Sequence, residues 1–151
     1  MAILDIITLE NDDNGILLKV AEEVNTEELA DLQPLIDNMI DTMHDAGALG
    51  LAAPQIGVSK RIFVLKDGTV CINPGKIMGR DKITSRHEGC LSVGKGARFN
   101  VKRIKRVILD CLDRSGKPQR LRPRDKMVSI AIQHEIDHLN GKLICDVGKL
   151  A

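Results

Sequence analysis

The chain of 151 residues carries 22 basic and 21 acidic side chains, so its formal net charge is +1. This length is sufficient for a hydrophobic core without disulfide bonds, and the balanced charge predicts neither membrane binding nor direct nucleic-acid binding. Because the sequence contains no Trp or Tyr, it also lacks the aromatic side chains on which bases stack. We therefore expect one domain over residues 1–151 with an aliphatic core.

The cysteine pattern and the N-terminus indicate the compartment in which the protein is located. No Cys-x-x-Cys pair occurs, which argues against a four-cysteine zinc module and against a disulfide framework. The N-terminus lacks the basic and apolar segments of a signal peptide, and no apolar run is long enough to cross a bilayer. We therefore expect a cytoplasmic protein. The four scattered cysteines are Cys71, Cys90, Cys111 and Cys145.

The first helix is predicted to follow an extended N-terminal arm of 24 residues. Asn25 can cap it and Glu28 can complete a capping box. Apolar residues then recur at helical spacing from Leu29 to Met43. Pro34 should kink this helix or mark a later start, because proline lacks an N–H and clashes with the preceding turn. We expect a helix that serves packing only.

Residues 47–57 are mostly small, with Gln55 as the only side chain able to form hydrogen bonds. Such a stretch fits a tight turn into a sheet, and it also fits a backbone that passes close to a ligand.

The middle of the chain predicts antiparallel strands. Residues 61–66 and 69–73 form a hairpin around Asp67-Gly68, and a polar loop then leads to Ser85. A long strand is predicted over residues 101–113, with a return strand over residues 119–122. Cys90 lies between them, and a lone cysteine of this kind is usually a small core residue.

The last predicted helix contains side chains that can bind a metal ion. Asp125 is its candidate N-cap and Gly141 its left-handed end, and its first half is apolar on nearly every side, which predicts burial. His134 and His138 are four residues apart, so they project from one face and can bind one metal ion. Glu135 can reach a metal-bound water without ligating the metal.

A catalytic zinc or iron site needs a third protein ligand and an open position for water. From residue types alone the third ligand stays open. The candidates are Cys90, Glu88, His87, His44, Cys71, Cys111 and Cys145.

Three segments together resemble the peptide deformylase family. Residues 50–55 read Gly-Leu-Ala-Ala-Pro-Gln, residues 88–92 read Glu-Gly-Cys-Leu-Ser, and residues 133–138 read Gln-His-Glu-Ile-Asp-His. Each matches one family motif, in the family's order. Ala48 and Gly94 stand where the family has glycine and proline, and the chain resembles short forms that lack a C-terminal helix.

The resemblance implies the roles of individual residues. Cys90, His134 and His138 would bind a divalent metal, Glu135 would be the general base and then acid, and Glu88 would orient a histidine ligand. Gln55 and the backbone N–H of Leu91 would stabilise the oxyanion. We expect Asp137 to face away from the metal and to pair with a basic residue. The residues expected to contact substrate are Leu49, Gly50, Gly89, Met127, Ile130 and Ala131.

The resemblance also implies function. The family removes the formyl group from N-formylmethionyl ends of newly made polypeptides, which makes the nascent peptide the substrate and the ribosome a candidate partner. Fe(II) is the favoured metal, although Zn, Ni or Co suit the same ligands. The implied fold is α+β, with antiparallel strands around a central buried helix that carries the metal-binding motif.

Two other classes of protein share some of these features. A metallopeptidase that cleaves internal bonds would use the same helix, but the thiolate ligand and the short chain disfavour it. A metal site that serves folding alone would have four protein ligands, and no fourth ligand is evident near this helix.

Overall fold

The computed structural model describes residues 2–151. No helix in this range is long and apolar enough to cross a membrane. The helices are α1 (Leu29–Asp45), α2 (Lys126–Leu139) and the short α3 (Ile144–Val147). The strands are β1 (Gly50–Ala52), β2 (Ile62–Leu65), β3 (Val70–Ile72), β4 (Met78–Glu88), β5 (Phe99–Leu112), β6 (Pro118–Leu121) and β7 (Gly148–Leu150).

All strand pairs are antiparallel, and the long strand β5 connects them. The main path runs β1-β2-β3-β5-β4, while β6 and β7 pair with β5 as well. The hairpin β2–β3 turns at Asp67-Gly68 as predicted. The predicted α+β fold is confirmed.

The two long helices pack on opposite faces of the sheet, because neighbouring side chains of a strand point to opposite faces. Ile62 and Val64 of β2 join the core cluster that contains the α1 residues. Phe63 and Leu65 of β2 join the cluster that contains the α2 residues. Helix α2 packs against β1, β2 and β5, which explains why so many of its residues are buried.

Helix α2 also closes a gap along one edge of β5. On that edge β7 pairs with residues 99–101 and β6 with residues 109–112, so no strand covers the stretch between them. The side chain of Gln133 fills the gap. Its Nε2 donates to the carbonyl of Ile104 and its Oε1 accepts from the N–H of Ile104, both at 2.8 Å. This contact fixes α2 against the strand one residue before His134.

Two predictions of local structure were wrong. The capping box at Asn25 does not form: Asn25 makes no side-chain capping bond, residues 26–28 form a 3-10 turn, and α1 starts at Leu29. Pro34 lies inside α1. Because proline has no N–H, the carbonyl of Ala30, four residues earlier, lacks its helical hydrogen bond. Ala30 is exposed.

The second wrong prediction concerns the polar loop that we expected between Gly75 and Ser85, because residues 78–88 form β4. The strand lies at the edge of the sheet and most of its residues are exposed. It therefore lacks the apolar alternation by which a half-buried strand is identified.

Candidate active site

Helix α2, which carries the two histidines, has well-defined ends. Asp125 caps the helix by accepting the N–H of Met127 at 2.9 Å, and Gly141 follows its end with φ of 72°. The rings of His134 and His138 lie on one face with centroids 5.0 Å apart. One ion can therefore contact both rings.

Cys90 reaches the same place from the loop after β4. Its Sγ lies 3.4 Å from Nε2 of His138, and the donor atoms of Cys90, His134 and His138 all lie within 4.8 Å of one another. Within residues 2–151 this is the one group of three or more such side chains that can hold a metal ion.

The donor set fits a divalent cation. Two imidazoles and one thiol suit zinc or iron and leave one position open. Burial lowers the pKa of His134, but its neighbours Cys90 and Glu88 outweigh burial and raise that pKa to about 10. These neighbours therefore favour positive charge between the ligands, which is what a bound metal ion provides.

Glu135 lies beside this group and is almost completely buried, with 3% of its surface exposed. Its Oε1 has no hydrogen-bond partner among the described residues. Burial raises the pKa of Glu135 to about 7, despite the opposing effect of His134 and Arg103. A carboxylate with a pKa near neutrality is suited both to accept and to return a proton.

Two candidate donors lie on the other side of the group. The amide of Gln55 is held by its Oε1, which accepts the N–H of Ala52 at 3.0 Å. Its Nε2 lies 3.9 Å from Sγ of Cys90 and 3.2 Å from Oγ of Ser92. The N–H of Leu91 donates to no acceptor within the described chain. The amide of Gln55 therefore faces Cys90, and the N–H of Leu91 is free to donate to a ligand.

Glu88 connects the site to a buried ion network. Its Oε1 lies 3.6 Å from Nδ1 of His134, and its carboxylate accepts two hydrogen bonds from Arg103, at 2.8 and 3.0 Å. Burial raises the pKa of Glu88, but His134 and Arg103 outweigh burial and lower it to about 2. Glu88 is therefore a charged acceptor that can orient the ring of His134.

Arg103 is a site residue that the sequence analysis missed. It is buried on β5 and donates to Asp137 at 2.6 Å as well as to Glu88. Asp137 thus pairs with a basic residue, as expected. The available signal was the position of Arg103, because it interrupts the apolar, inward-facing positions of β5 with a charge that needs buried partners.

Ser92 was also missed. Its fully buried hydroxyl accepts from Gln55 and donates to the carbonyl of Ile7 at 2.7 Å. The N–H of Ile7 in turn donates to the carbonyl of Gln55. The N-terminal arm therefore ties the Gln55 segment to the Cys90 loop.

A cavity of about 250 Å³ lies between Leu49, the end of β2 and the first half of α2. Three of the residues expected to contact the substrate side chain line it, namely Leu49, Met127 and Ala131. Ile130 is buried and does not line this cavity. Its walls are largely apolar, which suits a flexible apolar side chain.

The free edge of the sheet lies next to this cavity. The carbonyl of Leu49 already accepts the N–H of Lys66 at 2.9 Å. Because pairing alternates along an antiparallel strand, the backbone groups of Gly50 point instead to the free edge of β1. Gly89 directly precedes Cys90 and is exposed.

The remaining ligand candidates lie elsewhere. His44 and His87 are exposed, and Cys71 and Cys111 are buried in the core between the sheet and α2. Cys145 is exposed. None of them belongs to the group formed by Cys90 and the two histidines.

Comparisons with known proteins all identify the same family. The family model described as Polypeptide deformylase matches residues 3–150. A peptide deformylase of Thermodesulfovibrio yellowstonii is 43% identical over 97% of this chain and 89% of its own length. One of Alkalilimnicola ehrlichii is 38% identical over 97% of this chain and 82% of its own length.

Solved structures give the same result. The crystal structure of a peptide deformylase from Legionella pneumophila has a TM-score of 0.86 and 41% identity, covering 97% of this chain and 86% of that one. The actinonin-bound class I type b peptide deformylase from Acinetobacter baumannii also has a TM-score of 0.86, with 31% identity and coverage of 97% and 99%. The chain therefore belongs to the peptide deformylase family, metal-dependent hydrolases that remove the N-formyl group from nascent polypeptides.

Proposed function

We propose that residues 1–151 form one catalytic domain that deformylates N-formylmethionyl peptides, with Cys90, His134 and His138 as the metal ligands. The observation that carries this proposal is the convergence of these three donors beside a buried carboxylate that has no partner within the described chain. A metal site that serves folding alone has no use for such a carboxylate.

The proposed reaction adds water to the formyl carbon and breaks the C–N bond, which releases formate and a free amine. A divalent metal bound by the three ligands supplies a Lewis acid that polarises the carbonyl and makes water nucleophilic at neutral pH. Glu135 accepts the proton of the attacking water and then delivers it to the leaving amine.

Gln55 and Leu91 stabilise the charge that develops on the formyl oxygen. The side-chain N–H of Gln55 and the backbone N–H of Leu91 donate to the oxyanion. Because Gln55 is fixed through Ala52 and Ser92, its donor is already aligned before substrate binds.

Substrate recognition uses the cavity and the free edge of β1. The methionine side chain enters the space lined by Leu49, Met127 and Ala131. The peptide backbone pairs with Gly50 and Gly89 as an added strand, which gives little selectivity beyond the first residue.

We propose Fe(II) as the native metal, although Zn, Ni or Co would suit the same ligands. The proposed location is the cytoplasm, since the four cysteines are free. The nascent peptide is the proposed substrate, and the ribosome is the partner from which that substrate emerges.

A panel of three peptides tests the proposal. Protein loaded with metal without oxygen is incubated with formyl-Met-Ala-Ser, with Met-Ala-Ser, and with a longer unformylated peptide. We expect formate and one new amine from the first peptide and no cleavage of the other two. Cleavage of an internal bond would instead indicate a metallopeptidase, and metal binding without any reaction would indicate a structural site.

A further inference from the structure

Charge is strongly segregated along this nearly neutral chain. Residues 1–75 contain thirteen acidic and four basic side chains, whereas residues 76–106 contain ten basic and two acidic ones. The expectation of no direct nucleic-acid binding rested on the sum of these charges and on the absence of Trp and Tyr. Their separation gives the molecule one strongly positive element, which is the β4–β5 hairpin.

Four cations of this hairpin share its outer face. We call Arg80, Lys82, Lys102 and Arg106 the basic ribbon. Arg80 lies directly opposite Arg106, while Lys82 and Lys102 lie opposite Ile104 and Thr84. Because partners in an antiparallel pair share a face, the four side chains project together. All four are exposed.

The basic ribbon is poorly neutralised. The one ion pair that its members make within residues 2–151 joins Arg106 to Asp81 at 3.3 Å. Like charges directly opposite each other destabilise a sheet, so the pairing of Arg80 with Arg106 costs stability. A local cost of this kind is typical of surfaces that serve binding.

Helix α1, in contrast, would repel an anion. Helix α1 covers the sheet face away from α2, and it carries Asp31, Asp37, Asp41 and Asp45. A polyanion would therefore be attracted to the basic ribbon and repelled by α1. Strand β4 leads from this ribbon to Glu88, two residues before Cys90.

We propose that the basic ribbon binds the phosphate backbone of RNA without sequence preference. This inference rests on the proposed function, since a nascent formylated chain emerges at a ribosome surface rich in RNA. The chain lacks Trp and Tyr, so the contact is with phosphates. An anionic membrane is disfavoured, because Met78 is the only large hydrophobic side chain of β4 that is exposed.

The test measures the binding of a fluorescein-labelled RNA hairpin by fluorescence anisotropy over a series of KCl concentrations. The ribbon variant is the triple substitution Arg80→Glu, Lys82→Glu and Lys102→Glu. We expect it to weaken RNA binding by about tenfold or more, and to reduce the slope of log K against log salt by about 2 to 3.

A second triple variant controls for total charge. Lys19→Glu, Lys117→Glu and Lys142→Glu change the net charge equally, at exposed positions that make no ion pair in the described chain. We expect this control to bind RNA with a nearly unchanged salt slope. Equal weakening in both variants, or no RNA binding by the unmodified protein, would overturn the proposal. So would binding to vesicles that contain phosphatidylglycerol in preference to RNA.

Deformylation of free formyl-Met-Ala-Ser is measured in parallel. We expect equal rates in all three proteins, because the substituted residues contact neither the metal ligands nor the cavity. An inactive unmodified protein that still binds RNA would contradict the proposed function and leave the RNA site standing.

Discussion

The carboxylate of Glu135 lies against the backbone of Gly50, so closely that a Cβ at residue 50 would be 2.8 Å from Oε2. The edge strand β1 thereby sets the position of the proposed proton acceptor on α2. Gly50 therefore belongs to the free edge of the sheet and to the first motif, and it also contacts the carboxylate proposed as the general base.

Gly50→Ala should therefore displace Glu135. We expect kcat for formyl-Met-Ala-Ser to fall by about tenfold or more, because small displacements of a catalytic group are costly. Metal content should stay at the level of the unmodified protein. The control is Gly75→Ala, where the added Cβ makes only an ordinary contact of 3.4 Å. Unchanged kcat in Gly50→Ala would refute the positioning role.

Glu88→Gln tests the orientation of His134. Loss of the carboxylate next to Nδ1 should lower metal affinity by about 10-fold to 100-fold. The measurement is a competition with a chromogenic chelator, monitored by its absorbance. Glu22→Gln is a suitable control, since this exposed acid pairs with Lys60 at 3.7 Å on another part of the surface. Equal affinity of the two variants would show that Glu88 does not act on the ligand.

Arg103→Met tests the buried ion network. Removing the guanidinium leaves Glu88 and Asp137 without their shared partner, so the free energy of unfolding should fall by about 3–5 kcal/mol. Arg106→Met is the control, because its ion pair is exposed and should contribute about 1 kcal/mol or less. Urea denaturation of the two variants decides the comparison, and similar midpoints would contradict the structural role of Arg103.

Ala131→Leu tests the cavity for the methionine side chain. The larger side chain fills space between Leu49 and Met127, so KM for formyl-Met-Ala-Ser should rise by about tenfold. Formyl-Ala-Ala-Ser, with its smaller first residue, should be affected less. Ala30→Leu, on the exposed side of α1, should leave both values unchanged. An equal increase in KM for both peptides would indicate that the methionine side chain of the substrate binds elsewhere.

The parts of the site that lie within one helix were predictable from the sequence. The spacing of His134 and His138 needs only helical geometry, and Asp125 and Gly141 mark the ends of α2. Cys90 was one of seven candidates until the three motifs were considered together, because residue type alone does not bring a distant loop to a helix.

The parts that depend on long-range pairing were not predictable. Arg103 reaches Glu88 and Asp137, which lie 15 and 34 positions away, and no local pattern indicates that geometry. Strand β4 was missed because it pairs at an edge with most of its residues exposed, so it carries no apolar alternation.

The most direct test of the central claim is formate release from formyl-Met-Ala-Ser by the unmodified protein and by Glu135→Gln. Both are prepared without oxygen and loaded separately with Fe(II) and Zn, and their metal content is measured. We expect release by the unmodified protein and a loss of about 10³-fold in kcat in the variant with its metal retained. Undiminished release by Glu135→Gln, or no release by the unmodified protein with either metal bound, would contradict the account.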